Sequence, residues 1–203
     1  MAQSSNPSES LVGRLLIATP DMGDPRFSQS VILMCQHGED GAMGVIINKP
    51  LTDISLAELL EQMELAPRAD AAETAVLFGG PVQTERGLVI HSLDYQLDDT
   101  LRVTPELGLS ATREALVDFA GEEPGRPRPN RAALALGYAG WGPGQLEGEI
   151  AQNAWQLCEA DAALVFDLDR TRVWNAAFAK LGVSAAMFSE AWSSTSEDDR
   201  VVH

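Results

Sequence analysis

The chain has 203 residues, 45% of them apolar, and a formal charge of −16 with a sequence pI near 4.4. A field of that sign repels phosphate backbones, anionic lipid and acidic substrates, so direct nucleic-acid binding is excluded as a first reading. The length and apolar content suit one sizeable core, expected as a single domain over 10–185 with flexible tails at 1–9 and 186–203.

The polar start, Met1 to Glu9, has neither the basic nor the apolar region of a signal peptide. No apolar run reaches the ~20 residues of a spanning helix, and the expectation is a cytoplasmic protein with no membrane partner. Cys35 and Cys158 lie far apart without a CxxC pair, the usage of reduced proteins. Leu11 to Thr19 then reads as a strand, and Pro20 to Pro25 as a rigid loop in which two prolines fix φ. Ser30 to His37 and Ala42 to Asn48 are apolar strands joined by a hairpin-like turn, which puts His37 and Asn48 at opposite ends of the pair.

Lys49 to Thr52 is expected to leave the sheet, and Ser55 to Glu58 is a capping box opening a helix through Met63. Thr74 to Phe78 reads as a strand that ends in Gly79-Gly80-Pro81, a tight turn with exposed amides. Gly87 to His91 is a short strand, Asp94 to Asp99 a polar loop and Leu101 to Thr104 a further strand. Helical spacing runs from Ser110 to Ala120, and the proline-bearing stretch Glu122 to Asn130 is an exposed loop.

Ala132 to Tyr138 reads as a strand and Gln145 to Cys158 as an amphipathic helix, with a glycine-rich corner between them. The glycines there permit φ > 0 and close backbone approach, and the first amides of the helix point unsatisfied into the turn. Trp141 is placed at an exposed position on this corner; the competing reading makes it a core side chain. Ala162 to Phe166 is read as a final strand and Arg172 to Leu181 as a final helix ended by Gly182.

The corner is not a dinucleotide fingerprint, because Gln145 or Glu147 stands in the place of the third glycine. No Walker loop or G-x-S-x-G elbow occurs, and the corner holds no serine, cysteine or lysine nucleophile. Cys35, His37, His91 and Cys158 could make a zinc site only if the fold converged them, and neither metal nor cofactor is expected. Glu147 and Glu149 fall on different helix faces, which argues against a two-carboxylate mechanism.

Several strings coincide in order: Asp24-Pro25-x-Phe27-x-x-Ser30-Val31, His37, Gly41-Ala42-Met43-Gly44 with Asn48-x-Pro50, Gly79-Gly80-Pro81-Val82, and Gly137-Tyr138-Ala139-Gly140-Trp141 followed by Gly144-Gln145-Leu146-Glu147. Together they resemble the YqgE/AlgH family over about Leu11 to Val183. The resemblance implies an α+β domain whose bent, barrel-like, mainly antiparallel sheet is flanked by helices. It implies a proposed regulatory role in alginate production and supplies no reaction. Gln36 stands where the family commonly has an acid before the histidine.

Two functional classes follow. The first is a non-catalytic regulatory or adaptor protein, a monomer or weak homodimer, that holds a protein partner at the Gly-Trp-Gly corner. The second is an enzyme or small-ligand binder with a polar pocket near that corner. The candidate site residues are His37, Asn48, Gly79, Gly80, Pro81, His91, Gly140, Trp141, Gln145 and Glu147. In either class, purified protein at physiological salt should show no sub-micromolar, competitor-resistant DNA shift, because −16 of charge opposes every phosphate contact.

Overall fold

In a computed structural model that describes residues 10–66, 71, 74–120 and 125–182, the first three strands are apolar on both faces because both faces are covered. They are β1 (Arg14–Ala18), β2 (Val31–Gly38) and β3 (Gly41–Ile46). Leu15, Ile17, Leu33 and Val45 enter one buried cluster, while Leu16, Ile32 and Ile46 enter another. Double burial explains why these segments read as continuous hydrophobic runs and not as alternation.

Next come β4 (Pro50–Ser55), α1 (Leu56–Gln62), β5 (Ala75–Phe78), β6 (Val82–Ser92), β7 (Leu101–Arg102), β8 (Leu107–Ser110) and α2 (Arg113–Ala120). The long strand β9 (Ala132–Trp141) precedes α3 (Gln145–Ala151), β10 (Trp155–Glu159) and α4 (Val173–Lys180). The sheet runs β10-β1-β2-β3-β9-β6-β8-β7, with β5 lying against β9 and β4 against β5. All pairings are antiparallel except β5 with β9, and the sheet stays open. This is the α+β, mainly antiparallel architecture that the resemblance implied.

Strand β9 joins the two halves. Residues 132–138 pair with β6, while on its other edge Leu134 to Leu136 meet β5 and Ala139 to Trp141 meet β3. Where these pairings change over, the Gly79-Gly80 turn crosses Gly137 and Tyr138 at backbone contact. A Cβ on Gly79 would sit 2.2 Å from the Gly137 carbonyl oxygen, and one on Gly80 would sit 2.1 Å from the Tyr138 carbonyl carbon. The glycines are therefore demanded by the crossing of two chains.

One face of the sheet is covered by Leu164, Val165, Val173, Trp174 and Phe178 from the C-terminal part of the described chain, which pack with Leu15, Ile17, Leu33 and Val45. Trp174 donates its indole N–H to the Ala18 carbonyl at 2.8 Å, fixing α4 against β1. Helices α1 and α2 cover the opposite side of the other half, where Leu56, Leu60, Ala115 and Phe119 pack with Val76, Val89 and Leu134. The capping box at Ser55 and Glu58 forms as the sequence implies, each group satisfying a backbone N–H of the other.

Three expectations are corrected, and one strand is added. Pro50 to Ser55 does not simply leave the sheet: it forms β4, with proline tolerated at the first strand position. The segment 145–158 is not one helix, because Asn153 takes φ +59, ends α3 and starts a turn into β10. Ala163–Asp167 is a π-helical turn, not a strand, and the Asp161 carboxylate accepts the Leu164 N–H at 2.8 Å. Strand β8, Leu107–Ser110, was not anticipated at all, since four residues carry too little pattern to register. The expected flexible tails, 1–9 and 186–203, lie outside the described residues.

Candidate functional site

The corner after β9 is built around the carboxylate of Glu149. One of its oxygens, Oε2, accepts the indole N–H of Trp141 at 2.9 Å and that of Trp155 at 2.8 Å. The other, Oε1, accepts the Gln145 amide at 2.9 Å, and Gln145 in turn accepts the Gly142 N–H at 3.1 Å through its own oxygen. Short local spacing makes this possible, because Gln145 and Glu149 are one helical turn apart on α3. The two indoles meet edge to face at 6.1 Å, and Phe27 adds a second such contact with Trp155 at 5.8 Å.

Trp141 is 7% exposed, which overturns the expectation of an exposed tryptophan. The reason lies in the strand: β9 continues through Trp141, which pairs with Ala42, so the turn is only Gly142 to Gly144. The ring is thereby laid into the cluster of Leu16, Ile32, Leu146 and Trp155.

His37 joins the same corner from the end of β2. Its imidazole is 4% exposed and its Nδ1 accepts the Leu11 N–H at 3.2 Å. That leaves the proton on Nε2, which donates to Glu147 Oε1 at 2.8 Å. Glu147 is held below the usual carboxylate range by its own backbone N–H and then by His37. With both nitrogens engaged, His37 has no free position from which to act as a general base. It ties the start of the described chain and α3 to β2.

Two shallow grooves remain open beside this network. One, of about 450 Å³, is lined by Phe27, Pro81, Gln145, Glu149 and Trp155 among others. The second, of about 430 Å³, is lined by Gln36, Asp40, Met43 and Tyr138 among others. Val82, Gly140 and Trp141 are common to both. Pro81, Gly140, Trp141 and Gln145 thus line one continuous surface, and Glu147, which pairs with His37 of β2, lies on the same helix as Gln145. Gly79 and Gly80 serve the backbone crossing described above.

The other two candidates lie elsewhere. Asn48 accepts the Val31 N–H at 2.7 Å and donates to the Gln29 carbonyl at 2.9 Å, bracing the far end of the β2–β3 pair. His91 is buried in the other half of the sheet. Its Nδ1–H donates to the Ser92 carbonyl at 3.1 Å, so its Nε2 accepts the Ser110 hydroxyl at 3.0 Å, which Thr100 contacts at 2.9 Å. Burial pushes the His91 pKa below its ordinary 6.5. The unfolded chain therefore takes up this proton first. Stability contributed by neutral His91 is full above about pH 6.5 and falls below it, by up to about 1.4 kcal/mol per pH unit. Denaturant midpoints measured through that window should drop with acid, and the drop should flatten in His91→Asn.

The thiols are not reactive groups. Cys35 is buried, with its pKa pushed up to about 12, and burial also raises Cys158. Among the described residues no three His, Cys, Asp or Glu side chains gather as a metal site. Cys35 and His37 do not share a face, because a bulge between Met34 and Gln36 interrupts the register. Sequence reasoning passed over Glu149, Trp155 and Phe27 as site components. The spacing of Gln145 and Glu149 was the available signal, masked by reading 145–158 as a single helix.

A family model described as AlgH-like matches residues 15–186. The chain belongs to the AlgH-like family. Its curated relatives include a UPF0301 protein of Ruegeria pomeroyi, 49% identical over 88% of this chain and 96% of that one. A UPF0301 protein of Caulobacter vibrioides is 46% identical over 87% and 90% of the two chains. The solution structure of the AlgH protein from Pseudomonas aeruginosa superposes with a TM-score of 0.74 at 40% identity, covering 93% of this chain and 97% of that one. A crystal structure from Corynebacterium diphtheriae, 21% identical with a TM-score of 0.66, shares the fold. No helix among the described residues of this AlgH-like protein is long and apolar enough to cross a membrane.

Proposed function

We propose that this AlgH-like protein is a non-catalytic regulatory or adaptor protein that holds a protein partner along the two grooves beside Trp141. One observation carries the reading: the polar side chains of the corner are satisfied by one another, while the grooves next to them stay open. A catalytic centre needs a group left free to attack a substrate or move its proton, whereas a docking surface needs a rigid wall. Glu149, Gln145 and His37 provide rigidity.

A photo-crosslinking side chain at exposed Gln145 tests this in cells. A discrete protein adduct should form from position 145 and not from Arg102, exposed in the other half of the sheet. Equal labelling from both positions would defeat the proposal. The second reading, a small-ligand protein, is favoured by the groove of about 450 Å³, which is ligand-sized. Native mass spectrometry of the purified protein separates the two, since a retained small molecule would add a defined mass.

A further inference from the structure

Gly140 differs from the glycines held at close chain-to-chain contact around the corner. Gly41, Gly79, Gly80 and Gly137 each have a backbone atom within 2.5 Å of where a Cβ would stand, so no side chain fits. At Gly140 the nearest atoms to such a Cβ are on the Tyr138 ring at 3.5 Å and on Val82 at 3.8 Å, both ordinary contacts. Its φ is not in the left-handed region, and it stands exposed in a strand, where glycine is disfavoured. Neither backbone conformation nor sterics explains a glycine here. What a side chain would fill is the space over the wall shared by the two grooves.

Resting on the partner-binding reading, we infer that an extended, basic peptide segment crosses the bare backbone at Gly140 and sends alternate side chains into the grooves on either side. Glycine within a strand marks sites where another backbone comes close. In an extended chain, residues i and i+2 point the same way about 7 Å apart, a spacing suited to grooves separated by one strand end. The charge of the occupant follows from the lining: Asp24, Asp40 and Glu149 against the single guanidinium of Arg26, which already binds Asp24. Apolar faces of Met43, Val82, Phe27 and Trp155 supply the rest of the contact.

Three hexapeptides test this, alternating leucine with arginine, with glutamate or with serine, titrated into the whole protein at physiological salt and followed by amide shifts. The arginine peptide should bind at least tenfold more tightly than the other two, with shifts centred on Gly140 and Trp141. Gly140→Leu should weaken it at least tenfold while leaving the thermal midpoint unchanged. Asp40→Lys, on an exposed position, should do the same and keeps the test valid if Gly140→Leu folds poorly. Equal binding of the arginine peptide to wild type and both variants would reveal only the general pull of a −16 surface and overturn the inference. No preference over the glutamate peptide would overturn it as well. If wild type self-associates in sedimentation and Gly140→Leu does not, the occupant is a second copy and the peptide is rejected. A specific crosslink at position 145 together with any of these failures leaves partner binding standing and removes only the basic, extended occupant.

Discussion

Trp141→Ala should destabilise the domain by about 3–5 kcal/mol, the usual cost of truncating a buried tryptophan. The ring is 7% exposed, stacks edge to face on Trp155 and donates to Glu149 at 2.9 Å. Removing it opens a cavity in the cluster of Leu16, Ile32, Leu146 and Trp155 and takes one donor from a carboxylate that receives three. Since a whole domain is stable by only about 5–15 kcal/mol, the loss should be plain in urea titrations. Trp141→Phe should retain most of the packing and fall well short of that cost. A Trp141→Ala protein as stable as wild type would show that the ring is not a core element. For the same reason, loss of partner binding in Trp141→Ala would not report on the grooves; Gly140 and Asp40 are the positions that do.

Gly80→Ala should be comparably damaging, and Gly140→Ala close to neutral. At position 80 a methyl group would lie 2.1 Å from a backbone carbon, on a residue whose φ is +152. Backbone strain of about 1–3 kcal/mol and overpacking of about 1–3 kcal/mol both apply, because the obstacle is main chain and cannot rotate away. At position 140 the methyl meets only ordinary contacts, and a less flexible unfolded chain adds a stabilisation of about 0.4–1 kcal/mol. Paired denaturation curves compare the two directly. Equal effects would refute the distinction between an architectural glycine and one that keeps a groove open.

Local chemistry was readable wherever the determining groups are close in sequence. The capping box of Ser55 and Glu58, the apolar runs of β1 to β3, the turn between β2 and β3, and the end of α4 at Gly182 all depend on neighbours a few residues away. So did the separation of His37 from Asn48, which follows from antiparallel pairing alone. Short apolar segments were not readable, since Trp155–Glu159 and Ala163–Asp167 fit several periods over five residues. Their structure is chosen by what lies beside them: β1 offers a free edge to one, and the apolar face of the sheet accepts Leu164 and Val165 of the other.

The sequence by itself determined the family strings, the acidic surface and the glycine-rich corner as the place of interest. Tertiary structure alone decided what that corner is. Carrying β9 through Trp141 buries the indole, ending α3 at Asn153 returns Trp155 to it, and Glu149 binds both. It also divided the candidate residues, leaving His91 and Asn48 as internal braces and gathering Pro81, Gly140, Trp141 and Gln145 on one surface. The physical reason is the distance along the chain. Close approaches such as Gly79 to Gly137, or His37 to Glu147, pair segments separated by dozens of residues, and no local pattern encodes which backbone will lie 2.2 Å from an absent Cβ.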